Sequence, residues 1–152
     1  MTRFVSILGA ASLVWLGSTA TAGATTVLPG FRSPSGNIWC FVVSATTLPA
    51  LLVCSLEHAD YAGRLQARCT GPSGGGVDWH GFMLTATGRG TINCTGGVMY
   101  NPTTQRPSTS TLAYGKSWRQ GPFTCWSRAT GVTCRNRAGH GLSISRQVWR
   151  LW

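Results

Sequence analysis

Alternating apolar and polar positions dominate the last part of the chain. From Phe123 the order runs Phe-Thr-Cys-Trp-Ser-Arg, then a short turn, then Gly-Val-Thr-Cys-Arg. After Gly139-His140-Gly141 it resumes as Leu-Ser-Ile-Ser-Arg, ending at Arg146. A period of two over a short run is the mark of a half-buried strand. Cys125 and Cys134 flank a turn at Ala129-Thr130-Gly131. A type I turn with Gly131 in the left-handed position closes such a hairpin. Cysteines opposed across it can meet the Cα separation of roughly 5.5–6 Å that a disulfide prefers. Trp126 then points to the face opposite Cys125, and Arg135 and Arg137 to the face opposite Cys134. The pattern predicts an indole near guanidinium groups, a contact that adds about 0.5–1 kcal/mol.

Upstream, short apolar runs are separated by Gly, Ser and Pro turns, the pattern of an all-β domain. Turn chemistry over 31–37 leads into a strand from Ile38 to Val43, and Leu51 to Leu56 forms its partner. Both runs are continuously apolar, which predicts cover on both faces. Glu57-His58-Ala59-Asp60 breaks the pattern, and Arg64 to Cys69 resumes it in a more polar register. Residues 70–76 read as a flexible loop. Gly81 to Thr87 and Thr91 to Thr95 predict a hairpin across Gly88-Arg89-Gly90, and Asn101 to Ser110 reads as a mobile surface loop. No stretch beyond the first residues carries the i, i+3, i+4, i+7 spacing of a helix. The expectation is a small disulfide-stapled antiparallel sheet domain, either a sandwich or a partly open barrel.

The length of 152 residues fits one domain. Arg3 followed by an apolar run from Phe4 to Leu16 and by Ala20-Thr21-Ala22 has the form of a signal peptide cleaved after residue 22. The run is shorter than the ~20 apolar residues that span a bilayer. Residues 23–152 are then a soluble exported domain, periplasmic or extracellular. All six cysteines fall within it. An even count behind such a leader predicts three disulfides in an oxidising compartment, and strand geometry favours nearest neighbours: Cys40–Cys54, Cys69–Cys94 and Cys125–Cys134. No C-x2-C pair occurs, so the cysteines do not suggest zinc.

Thirteen basic residues against three acids give a formal charge of +10. Lys116 is the single lysine; the arginine bias, with abundant Gly, Ala and Trp, points to a GC-rich bacterial source. Such a charge favours anionic surfaces. An exported protein meets envelope polymers and lipid headgroups before nucleic acid, so nucleic acid is the poorer expectation.

A set of motifs resembles the domain-of-unknown-function family 6636, small exported bacterial proteins. It consists of Ser33-Pro34-Ser35-Gly36-Asn37-Ile38-Trp39-Cys40, Asp78-Trp79, Leu112-Ala113-Tyr114-Gly115, Phe123-Thr124-Cys125, Gly131-Val132-Thr133-Cys134 and Gly139 to Arg146. The resemblance implies export and paired cysteines and brings no activity. His80 stands where that pattern has glycine, and Thr95-Gly96-Gly97 where it has an acid.

Candidate chemistry is sparse. His140 between two glycines could serve as a base or ligand, but a tight turn before the next strand explains it more simply. His58/Asp60 and Asp78/His80 are i, i+2 pairs that could hold a metal if they met. Glu57, Asp60 and Asp78 are the only carboxylates for glycoside hydrolysis, and no G-x-S-x-G elbow is present. From Lys116 to Trp152 there are seven basic residues, no acid, and Trp118, Trp126, Trp149 and Trp152. Basic and aromatic side chains together suit an anionic glycan or lipid surface. The leading expectation is a non-enzymatic envelope-binding or structural module without metal or cofactor, contacting its partner through Trp126, Arg128, Arg135, Arg137 and His140. A small hydrolase using His140 or the His58/Asp60/Asp78/His80 group is the rival, and a secreted inhibitor or toxin is the third reading.

Overall fold

The computed structural model describes residues 25–45, 48–70, 77–97 and 99–152. The expected leader and the glycine-rich stretch 71–76 lie outside them. Among the described residues the architecture is all-β: two five-stranded antiparallel sheets and a two-stranded ribbon, with no closed barrel. Along the chain come β1 (Thr26–Leu28), β2 (Gly30–Arg32), β3 (Ile38–Ala45) and β4 (Leu48–Leu56). A single-turn helix α1 (Ala62–Gln66), β5 (Asp78–Thr85), β6 (Thr91–Thr95) and β7 (Gln105–Pro107) follow. The last part holds β8 (Ser117–Gln120), β9 (Phe123–Arg128), β10 (Gly131–Arg135), β11 (Gly141–Ile144) and β12 (Trp149–Leu151). The first sheet has the order β2-β3-β4-β5-β6 and the second β12-β11-β10-β9-β8, so each is a simple meander of neighbouring strands.

The main core lies between the sheets. Ile38, Cys40, Val42, Leu52, Cys54, Phe82 and Leu84 face Phe123, Cys125, Val132, Cys134, Leu142 and Ile144 across it. Alternation along β9 and β10 does what the pattern predicts, burying every second side chain. β3 and β4 are apolar at nearly every position because both their faces are covered. On the outer side, Phe41 and Val53 pack with Leu28 of β1 in a second cluster. The ribbon responsible is parallel, Thr26 to Leu28 against Gln105 to Pro107. The stretch expected to be a plain loop, Asn101 to Ser110, therefore contains a strand, which the short β1 satisfies from a distant part of the chain.

All three disulfides join the expected pairs. Cys40 sits directly opposite Cys54, and Cys125 opposite Cys134, in the strand registers. Their Cα separations are 4.1 and 4.0 Å, shorter than expected, because facing residues at a narrow antiparallel pair approach to about 4.5 Å. The two bridges meet in the middle of the core, where the Sγ atoms of Cys40, Cys54 and Cys134 lie within 4.8 Å of one another. Cys69–Cys94 fastens the end of the α1 segment to β6.

One expectation fails at Arg64 to Cys69, where a helical turn replaces the predicted strand. Tyr61 and Leu65, four positions apart, both enter the core, and that spacing is helical. Gln66 fixes the turn by donating to Val77 O and accepting from Trp79 N. Tyr61 then packs with Trp79, Phe82 and Trp149, and its hydroxyl donates to Ser145 O at 2.9 Å, joining this segment to the second sheet.

Candidate functional site

Inward burial of Phe123, Cys125, Val132, Cys134, Leu142 and Ile144 leaves the intervening residues of the second sheet pointing outward. Cross-strand registers arrange them in rows. One row runs Arg119, Thr124, Arg135, Gly141; the next runs Ser117, Trp126, Thr133, Ser143, Arg150. Arg128 ends β9 on the same face. With strands about 4.8 Å apart, Arg119 and Arg135 stand roughly 10 Å from each other, close enough for one polyanion to meet both.

Two glycines allow this surface to form. Gly131 has a φ of 131°, and a Cβ there would strike the carbonyl of Ile144. Gly141 leaves room for the Trp152 indole, which lies over it; a Cβ at Gly141 would come within 2.6 Å of the ring. The indole N–H donates to Gly139 O at 3.0 Å, and the Arg135 guanidinium sits 5.7 Å from the ring centroid. The predicted cation–π contact thus exists with Trp152 instead of Trp126. Trp126 is one cross-strand row away and shares a groove with Arg128, Thr133 and Arg135.

Three concavities adjoin along this side. Arg128 lines both that groove and a 360 Å³ cleft at the end of the sandwich with Ser33, His58, Tyr114 and Arg146; Arg135 lines both the groove and a hollow shared with Arg150 and Trp152. Among the described residues no Asp or Glu side chain lines the track from the cleft to Trp152. Among the described residues the salt bridges are Arg32–Glu57 at 3.3 Å and Arg146–Asp60 at 3.0 Å, both exposed. Neither engages Arg119, Arg128, Arg135 or Arg150.

Other expected residues lie elsewhere. Arg137 is exposed in the turn after β10, past the last residue that shares the outward alternation. His140 is held in that same turn by Asn136, whose Oδ1 accepts from the backbone N–H of Ala138 and His140. Asn136 Nδ2 donates to Thr85 O and Gly88 O, tying the sheets together. The backbone of Gly139-His140-Gly141 forms this turn, and His140 lines none of the described concavities. His58 and Asp60 sit in the turn after β4, where Asn37 clasps the His58 backbone by two hydrogen bonds. Asp78 and His80 are on β5, and His80 lines a cavity on the far side of the first sheet. Among the described residues, the group of metal-capable side chains that converges is Cys40, Cys54 and Cys134, all engaged in disulfides. Arg119, Arg150 and Trp152 are face residues that the sequence expectation did not include; the alternations Ser117-Trp118-Arg119 and Trp149-Arg150-Leu151-Trp152 were the available signals.

Residues 9–152 match a family model described as "Family of unknown function (DUF6636)". The chain belongs to this family. The resemblance seen in the sequence motifs is thereby borne out over essentially the whole DUF6636 chain. No curated protein and no solved structure matches it.

Proposed function

We propose that this DUF6636 protein is an exported, non-enzymatic module that docks the outer face of its second sheet on an anionic polymer of the cell envelope. One observation carries the reading: Arg119, Arg128, Arg135 and Arg150 share a face with Trp126 and Trp152, and among the described residues no Asp or Glu side chain interrupts it. Guanidinium groups match carboxylate and phosphate in a planar, two-pronged geometry, and they stay charged at any relevant pH. The indoles add flat apolar area for the uncharged parts of such a polymer. Three disulfides suit an oxidising compartment and hold the face rigid without a large core.

The test is binding to immobilised polygalacturonate, with neutral dextran and phosphatidylglycerol vesicles as comparisons, over a range of salt concentrations. Retention on the polyanion should fall steeply as salt rises, because exposed charges are screened beyond about 8–10 Å at physiological ionic strength. Arg135→Ser and Arg150→Ser should each weaken binding by about 5-fold, on the scale of ~1 kcal/mol per surface cation. Salt-independent retention, or equal retention on dextran, contradicts the reading; tighter binding to vesicles than to the polymer moves it to a lipid surface.

A further inference from the structure

The outer face of the first sheet holds a polar pocket unconnected with the basic face. β5 and β6 pair Trp79 with Cys94 and Phe82 with Ile92, so His80 and Gly81 together oppose the single residue Asn93. This bulge, with Gly81 at a φ of 107°, turns His80 outward beside Asn93. Asn93 is fully buried, at 0% exposure. Neither of its amide atoms meets a hydrogen-bond partner among the described residues, and the same holds for the buried Nε2 of His80. Both line a cavity of about 70 Å³ with Trp39, Phe41, Val53 and Met99. Trp39 stacks on Phe41 at 5.4 Å, and Tyr100 meets Phe41 edge-on at 5.5 Å. A buried amide with both ends unpaired is costly unless something pairs with it.

We infer that this cavity receives the N-acetyl group of an amino sugar, recognised by Asn93. An acetamide is the complement of the Asn93 side chain: its carbonyl accepts from Nδ2 while its N–H donates to Oδ1. His80 Nε2 is placed for a second polar contact, and the acetyl methyl rests against Phe41, Val53 and Met99. A space of about 70 Å³ is on the scale of one small planar group such as an acetamide. The ring stays at the mouth, where the partly exposed Trp39 and Tyr100 offer aromatic surface. This inference does not rest on the polyanion reading, since it uses the other sheet and no arginine.

The experiment is an NMR titration of the ¹⁵N-labelled protein with diacetylchitobiose, with cellobiose and Nε-acetyl-lysine as comparisons. Saturable shifts of the Asn93 side-chain amide and the Trp39 indole are expected with diacetylchitobiose, and at least ~10-fold weaker binding of cellobiose, which lacks the hydrogen-bonding acetamide. Asn93→Leu, which fills the site with an apolar group of similar size, should keep a folded spectrum and lose the sugar. If that variant does not fold, the wild-type comparison between diacetylchitobiose and cellobiose decides alone. Equal binding of the two sugars, binding of acetyl-lysine as tight as the acetylated sugar, or a cavity occupied by water alone with no sugar shift each overturns the inference.

Discussion

Tyr61 is buried to 1% exposure with its hydroxyl donating to Ser145 O. Burial pushes its phenol above the ordinary range, and the neighbouring Asp60 carboxylate pushes it the same way. Because the folded state holds this proton more tightly than the unfolded chain, the associated stability is complete below about pH 10 and is lost as pH rises through the raised value. Tyr61→Phe should remove that alkaline dependence while costing about 1 kcal/mol for the hydrogen bond, read from urea unfolding across the alkaline range. Ser127, at 0% exposure, has a hydroxyl without a partner among the described residues. Ser127→Ala should be neutral or raise Tm, since it removes a buried polar group that gains nothing. Residues of this kind are hard to see in a sequence. His140 draws attention because glycines flank it, yet the side chain that organises its turn is Asn136, which carries no spacing signal. Asn93 looks like any strand residue until the bulge at His80-Gly81 sets its neighbours.

Hairpins explain why so many strands were legible. β3–β4, β5–β6 and β9–β10 each pair chain neighbours, and in the first and last a disulfide pins directly facing residues. Removing Cys125–Cys134 as a double alanine variant should cost about 3 kcal/mol in urea unfolding, with some addition for the core volume lost. Removing Cys69–Cys94 should cost at least as much, because it closes the longer loop, 25 residues apart against nine. A loss below about 1 kcal/mol for both would mean that packing alone holds the sheets. The elements that escaped the sequence are short or depend on distant partners. α1 shows only the pair Tyr61 and Leu65, too little for a period. β1 and β7 find each other across nearly eighty positions, and nothing local in Gln105–Pro107 predicts a parallel neighbour. β8 and β12 are edge strands of four and three residues, in which a tryptophan and an arginine decide the face.

The two sheets differ most on their outer sides. Continuous apolar runs in β3 and β4 correctly announced a covered face, supplied by Leu28 of the parallel ribbon and by Met99 and Tyr100. The second sheet alternates cleanly and leaves its polar side bare, which is where the arginines gather. Net charge was visible in the composition, but its placement needed the registers that put Arg119 in one row with Arg135, two strands away, and Trp126 in line with Arg150. The most direct measurement is an amide-shift footprint of soluble polygalacturonate on the ¹⁵N-labelled protein at low salt. Perturbations confined to β8, β9, β10 and β12, with the Trp126 and Trp152 indoles among them, are the predicted result. Shifts centred on the ribbon side of the first sheet, or none at all, would contradict a basic face built to meet a polyanion.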